Sequence, residues 1–229
     1  MITPAFIWLV LSHITVLFPI YVGYKLDVKK WKSCLLILFV TAFFSVLYHW
    51  KDQDNFSGDF IFLGTNGVVH KYMDYIGSYM SFFNMIFYSI NLDVNTENFD
   101  FSLIIINLIC IFLGLIEPQW YSFMIIICFF ILLYVVVNKD NILRLFLRTL
   151  IKHYNLTILT ALLFVLSMVM QYDLCAKYGR GYYYQIFHGF WHFFLFLTAG
   201  LLMILNKFLV DEANEENNNN QVKLFCLDV

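Results

Sequence analysis

The chain has 229 residues, 61% of them hydrophobic and 13% charged, with a formal net charge of -2 at pH 7. A soluble domain is about half apolar and about a quarter charged, so this composition excludes an ordinary soluble fold and points to a multi-spanning membrane protein. The near-neutral balance gives no electrostatic basis for binding nucleic acid.

Seven apolar segments follow one another, at approximately 5–24, 33–50, 72–91, 101–116, 119–137, 155–172 and 185–208. Most approach the length of about 20 residues that a helix needs to cross the hydrocarbon. Helices are expected because each satisfies its own backbone in lipid. The predicted fold class is therefore all-α, a polytopic bundle of seven transmembrane helices over residues 1–210. The first segment lacks a basic leader and a small-residue cleavage signature, and reads as a retained span. The fourth is short, between Asp100 and the pair Glu117-Pro118.

Basic residues set the orientation. With the N-terminus outside, the inner side holds Lys25, Lys29, Lys30, Lys32, Lys139, Arg144, Arg148, Lys152, Lys207 and Lys223. The outer side keeps Lys51, Lys71, Lys177 and Arg180. The positive-inside rule then predicts an outer N-terminus and a cytosolic C-terminus. Trp8, Trp31, Trp50, Trp120 and the run Tyr182, Tyr183, Tyr184 fall at segment ends, as interface belts do.

After Val210 the chain turns polar and low in complexity, DEANEENNNNQ, and residues 211–229 are expected to form a disordered cytosolic tail. Cys226, beside Leu224 and Phe225, is a candidate for reversible acylation, with an unmodified thiol as the alternative. The other cysteines, Cys34, Cys110, Cys128 and Cys175, show no CxxC spacing, so neither a disulfide framework nor a cysteine metal motif is expected.

Chemistry concentrates in three segments. Ser45 and His49 lie in FVTAFFSVLYHW, Asp74 in YMDYIGSYMSFF, and His188 and His192 in QIFHGFWHFFLFL. Polar and ionisable groups are expensive in lipid and mark a site. Ser45 and His49 are four apart, as are His188 and His192, and on a helix such pairs share a face. In the predicted topology His49, Asp74, His188 and His192 all sit at similar depth, below the outer surface.

Three imidazoles are the ligand set of a catalytic zinc centre, which keeps a fourth position open. His49, His188 and His192 are the candidate metal ligands. Asp74 and Ser45 are the candidate catalytic groups if the chain is an enzyme: Asp74 positions water or orients a histidine, and Ser45 donates to a carbonyl or to Asp74. The histidine pair lacks the Glu of HExxH, which excludes that protease class. His13, His70 and His153 read as satisfied interior or span-end histidines. Asp52, Asp54 and Asp59 miss the EF-hand pattern because Phe56 takes a ligand position, and read as a solvated loop. Asn55 heads a formal glycosylation acceptor close to the bilayer, and Asn155 heads another on the inner side.

SxxxH in the second segment, Asp in the third and HxxxH in the seventh resemble the signature of the CREST superfamily of seven-helix membrane proteins. That superfamily includes alkaline ceramidases, the adiponectin and progestin receptors and proteins that remodel GPI anchors. The segments FFSVLYHWKD, MDYIGSYMSFF and YYYQIFHGFWH, with a closing apolar run to LNK, most resemble its myoblast-fusion branch. The resemblance implies zinc on His49, His188 and His192, with Ser45 and Asp74 as polar companions. It implies a multi-pass plasma-membrane protein, with a secretory-pathway pool, that promotes cell–cell fusion. A zinc-dependent lipid hydrolase, acting on amides or phospholipid esters, and a lipid-sensing receptor are the alternatives on the same fold. The partners it implies are membrane lipids, with a homodimer and a fusion partner protein left open.

Overall fold

The structure is a computed structural model. It describes residues 3–26, 31–52, 141–175 and 181–227, with Lys177 and short helical pieces within 69–84 and 104–111. Those residues are almost entirely helical.

The first helix, α1 (Pro4–Ser12), opens on Thr3, whose hydroxyl accepts the Phe6 N–H at 3.1 Å. Pro4 sits in the first turn, where its missing N–H leaves nothing unpaired. A 3-10 turn (His13–Val16) joins α1 to α2 (Leu17–Lys25). Next come α3 (Trp31–Asp52), α4 (Asn141–Lys152) and α5 (Tyr154–Val169). A π-helical turn, Met170–Cys175, extends α5, and α6 (Tyr182–Leu227) closes the chain.

Among the described residues, three helices are long and apolar enough to cross a membrane: Pro4–Lys25, Tyr154–Cys175 and Tyr182–Glu216, with a shorter apolar stretch at Leu35–Trp50. These fall on the first, sixth, seventh and second predicted segments. The helical pieces within 69–84 and 104–111 fall on the third and fourth, and the fifth lies outside the described residues. Large apolar side chains face outward along whole helices, as at Ile7, Leu11 and Ile14 in the first span and Ile158, Leu162 and Val165 in the sixth. In water such stripes would be a liability; against acyl chains they are the expected surface.

The α1–α2 helix, α3 and α6 pack on one another through Val16, Leu38, Ala42 and Phe196, with Ile20 at the edge. Close approach of α1 to α6 depends on Gly189. A Cβ there would stand 2.5 Å from Trp8 Nε1 and 3.3 Å from Leu9 Cα. The Trp8 indole lies over this glycine and donates to the Ile186 carbonyl at 3.1 Å.

Two features depart from the sequence expectation. The stretch read as an inner loop carrying Arg144, Arg148 and Lys152 folds into α4, with Leu145 and Thr149 buried and Leu147 and Ile151 exposed. Its 12 residues are too few to cross a bilayer. The segment expected to be disordered from 211 instead continues α6 to Leu227. Its first turn has partners that composition alone does not show. Lys207 pairs with Asp211 one turn on. Glu212, 4% exposed, accepts from Thr149 Oγ1 at 3.1 Å and pairs with Lys152 Nζ at 3.0 Å.

Candidate metal centre

α3 carries Ser45 and His49 on one face, and both are buried. α6 carries His188 and His192 one turn apart, also buried. The helices bring three Nε2 atoms together: His49 lies 3.1 Å from His188 and 3.3 Å from His192. Two imidazole nitrogens bound at about 2.0–2.1 Å to one tetrahedral zinc stand about 3.3 Å apart. The two His49 separations match that spacing, and imidazole is a donor zinc favours.

Each ring needs its second nitrogen fixed for the first to face a cation. His188 Nδ1 lies 3.0 Å from Gln171 Oε1, an acceptor, so Nδ1 carries the proton and Nε2 is left bare toward His49. Gln171 reaches this position from the π-helical turn. Such turns often occur at functional sites because they rotate one residue out of the 3.6 period. Sequence reading missed Gln171, and the only signal there was its polarity in an apolar run. Among the described residues His49 Nδ1 has no partner.

Asp74 enters from the third segment. Asp74, Gly77 and Ser81 recur at i, i+3 and i+7, the spacing of one helical face. Asp74 hydrogen-bonds Ser45, and Ser81 Oγ lies 3.2 Å from Thr41 Oγ1. As residue numbers rise on one helix they fall on the other, so the two run antiparallel. Gly77 permits the contact, since a Cβ there would meet Thr41 Oγ1 at 2.3 Å. All five residues predicted for the site are thus brought together.

A fourth histidine joins them. His13, read from sequence as an interior polar group, is buried with its ring 3.9 Å from that of His192, centroid to centroid. The ligand atoms of His13, His49 and His192 all lie within 4.8 Å of one another. Two overlapping histidine triads therefore share His49 and His192. His153 is elsewhere, stacked on Phe208 near Glu212.

Beside the cluster lies a small cavity of about 30 Å³, room for about one water. Its lining mixes Ser45, Asp74, His192, Thr41 and Ser81 with apolar Leu38, Ala42, Phe196 and Ala199. Trp191 also lines it, and among the described residues its buried indole N–H has no acceptor.

Cys110 and Cys175 are buried free thiols, and Cys175 Sγ lies 4.0 Å from the Tyr184 carbonyl. Asn55, Asp54 and Asp59 lie outside the described residues, as does the side chain of Cys226.

No curated protein and no solved structure matches the chain. A family profile does, over residues 2–193, a stretch that takes in His13, Ser45, His49, Asp74, Gln171, His188 and His192. The chain belongs to that family, described as protein of unknown function, DUF3522.

Proposed function

We propose that the chain is a membrane-embedded hydrolase that holds zinc on His49, His188 and His192 and cleaves an amide or ester link in a lipid. The observation that carries this reading is the approach of His188 and His192 Nε2 to His49 Nε2, at 3.1 and 3.3 Å, beside a cavity that His192, Asp74 and Ser45 line. When bound, zinc supplies Lewis acidity to a carbonyl and to water. Asp74 lines the cavity beside Ser45 and His192, placed to orient an attacking water and take its proton. Leu38, Ala42, Phe196 and Ala199 would meet the acyl part of such a lipid beside the cavity. Trp191 offers an indole N–H to the head of the substrate.

The test uses purified full-length protein in lipid nanodiscs. It is expected to carry one zinc and to release fatty acid from a ceramide-type amide or a phospholipid ester. Asp74→Ala is expected to keep the metal and lose turnover by roughly 10²-fold or more. Zinc-loaded protein that turns over none of these lipids removes the hydrolase reading.

The resemblance of FFSVLYHWKD, MDYIGSYMSFF and YYYQIFHGFWH to myomaker favours a second reading, a plasma-membrane protein that promotes cell–cell fusion with zinc as a structural tie. The two diverge at Asp74. A fusion protein of this kind keeps mixing cells when Asp74→Ala reaches the surface folded; a hydrolase-dependent one does not.

A further inference from the structure

We propose that the metal centre has a fourth imidazole, His13, which Ser45 holds out of ligation, so that the site can be open with three histidines or closed with four. This rests on the zinc reading above.

The local backbone prepares His13 for the role. At His13 the helix changes from α to 3-10, and its N–H turns to Val10 and Leu11. The Leu9 carbonyl, which an α-helix would pair with that N–H, is released. Two side chains take it instead: Ser12 Oγ donates at 2.6 Å and His13 Nδ1 at 2.8 Å. A carbonyl only accepts, so Nδ1 carries a proton and the neutral ring presents a bare Nε2. That is the form an imidazole needs to bind a metal.

The bare Nε2 faces Ser45 Oγ at 3.0 Å. Ser45 has one proton and two claimants, His13 Nε2 and the carboxyl of Asp74. While the hydroxyl points at His13, that ring is engaged and the fourth position stays open. When the hydroxyl turns to Asp74, Nε2 is a buried acceptor with no other donor among the described residues. A cation held by His49 and His192 is then its nearest partner, because all three ligand atoms already lie within 4.8 Å of one another. Open three-ligand centres are catalytic and closed four-ligand centres are structural. One hydroxyl rotation therefore separates an active from a resting site.

The experiment counts ligands. Full-length wild type, Ser45→Ala, Ser45→Thr, His13→Gln and the Ser45→Ala/His13→Gln double variant are prepared in nanodiscs with zinc or cobalt(II). X-ray absorption is expected to find three imidazoles on zinc in wild type and four in Ser45→Ala. Cobalt-loaded Ser45→Ala gains visible absorption typical of four-nitrogen tetrahedral coordination. Chelator competition is expected to show zinc bound on the order of tenfold more tightly in Ser45→Ala. The double variant returns to the wild-type count and affinity, and Ser45→Thr, which keeps a hydroxyl, stays wild-type. Three imidazoles in metal-loaded Ser45→Ala, or tighter binding that survives in the double variant, overturns the inference and leaves the zinc reading standing. If Ser45→Ala does not fold, four imidazoles in wild type or weaker metal binding by Ser45→Thr overturns it equally, while three with unchanged Ser45→Thr affinity supports it. Wild type that binds no metal overturns both.

Discussion

The amide of Gln171 holds one ring of the cluster in register. His188 Nδ1–H donates to Gln171 Oε1 at 3.0 Å, which keeps Nε2 turned toward His49. Gln171→Leu leaves that N–H buried without its acceptor, and zinc affinity is expected to fall by roughly 10–100-fold. Competition with a coloured chelator measures it, and Gln171→Glu, a better acceptor, should bind more tightly than wild type. Unchanged affinity in Gln171→Leu would detach the amide from the centre. At this scale the i, i+4 pairs made His49, His188 and Ser45 legible in the sequence, because helical spacing alone puts them on one face. His13 has no such companion on its own helix. Its place depends on a 3-10 turn and on two other helices, and neither leaves a periodic trace. Gln171 was hidden for a related reason: a π turn moves it off the face that a 3.6 period assigns.

Between helices, two small contacts carry disproportionate weight. Gly189→Ala gains about 1 kcal/mol in helix propensity. It also drives a methyl into the Trp8 indole at 2.5 Å, and that indole is tied to the Ile186 carbonyl and cannot swing aside freely. Overpacking of this kind costs about 1–3 kcal/mol, so the net expectation is destabilisation. A lower melting temperature in detergent together with a red-shifted tryptophan emission would report it; a higher melting temperature would show that the indole yields. At the other end of α6, Thr149 is buried and donates to the Glu212 carboxylate at 3.1 Å. Hydrogen bonds to charged groups contribute about 1.5–3 kcal/mol, and Thr149→Val is expected to lose about that much. Protease cleavage after Lys152 should quicken in parallel, and an unchanged cleavage rate would show that α4 is held by its apolar side chains alone. Composition misread this region because α4 is amphipathic and short. Its charges suggested a loop, and only the buried pair Leu145 and Thr149 reveals which face it turns inward.

For the whole molecule, the apolar segments were legible because bilayer thickness imposes a length that a sequence cannot disguise. Orientation is a separate quantity, and it rests on the ten basic residues assigned inside against four outside. An epitope at the N-terminus is expected to be reached by antibody in intact cells, and one after Val229 only after permeabilisation. The reverse pattern would invert the bundle and move the metal centre to the cytosolic leaflet.

α6 runs from the histidine cluster to Glu212 and beyond as a single rod. At about 1.5 Å per residue, Glu212 lies about 30 Å along its axis from His192, with no break in between. His188 and His192 are keyed to one end, and Glu212, gripped by Thr149 and Lys152, is keyed to the other. Torque applied at Glu212 would be delivered to the imidazoles. If α4 lets go of Glu212, the rod can turn about its axis, and a swing of a few tens of degrees carries both histidines past His49 together. The two histidines thus share one continuous helix with a carboxylate some six turns away.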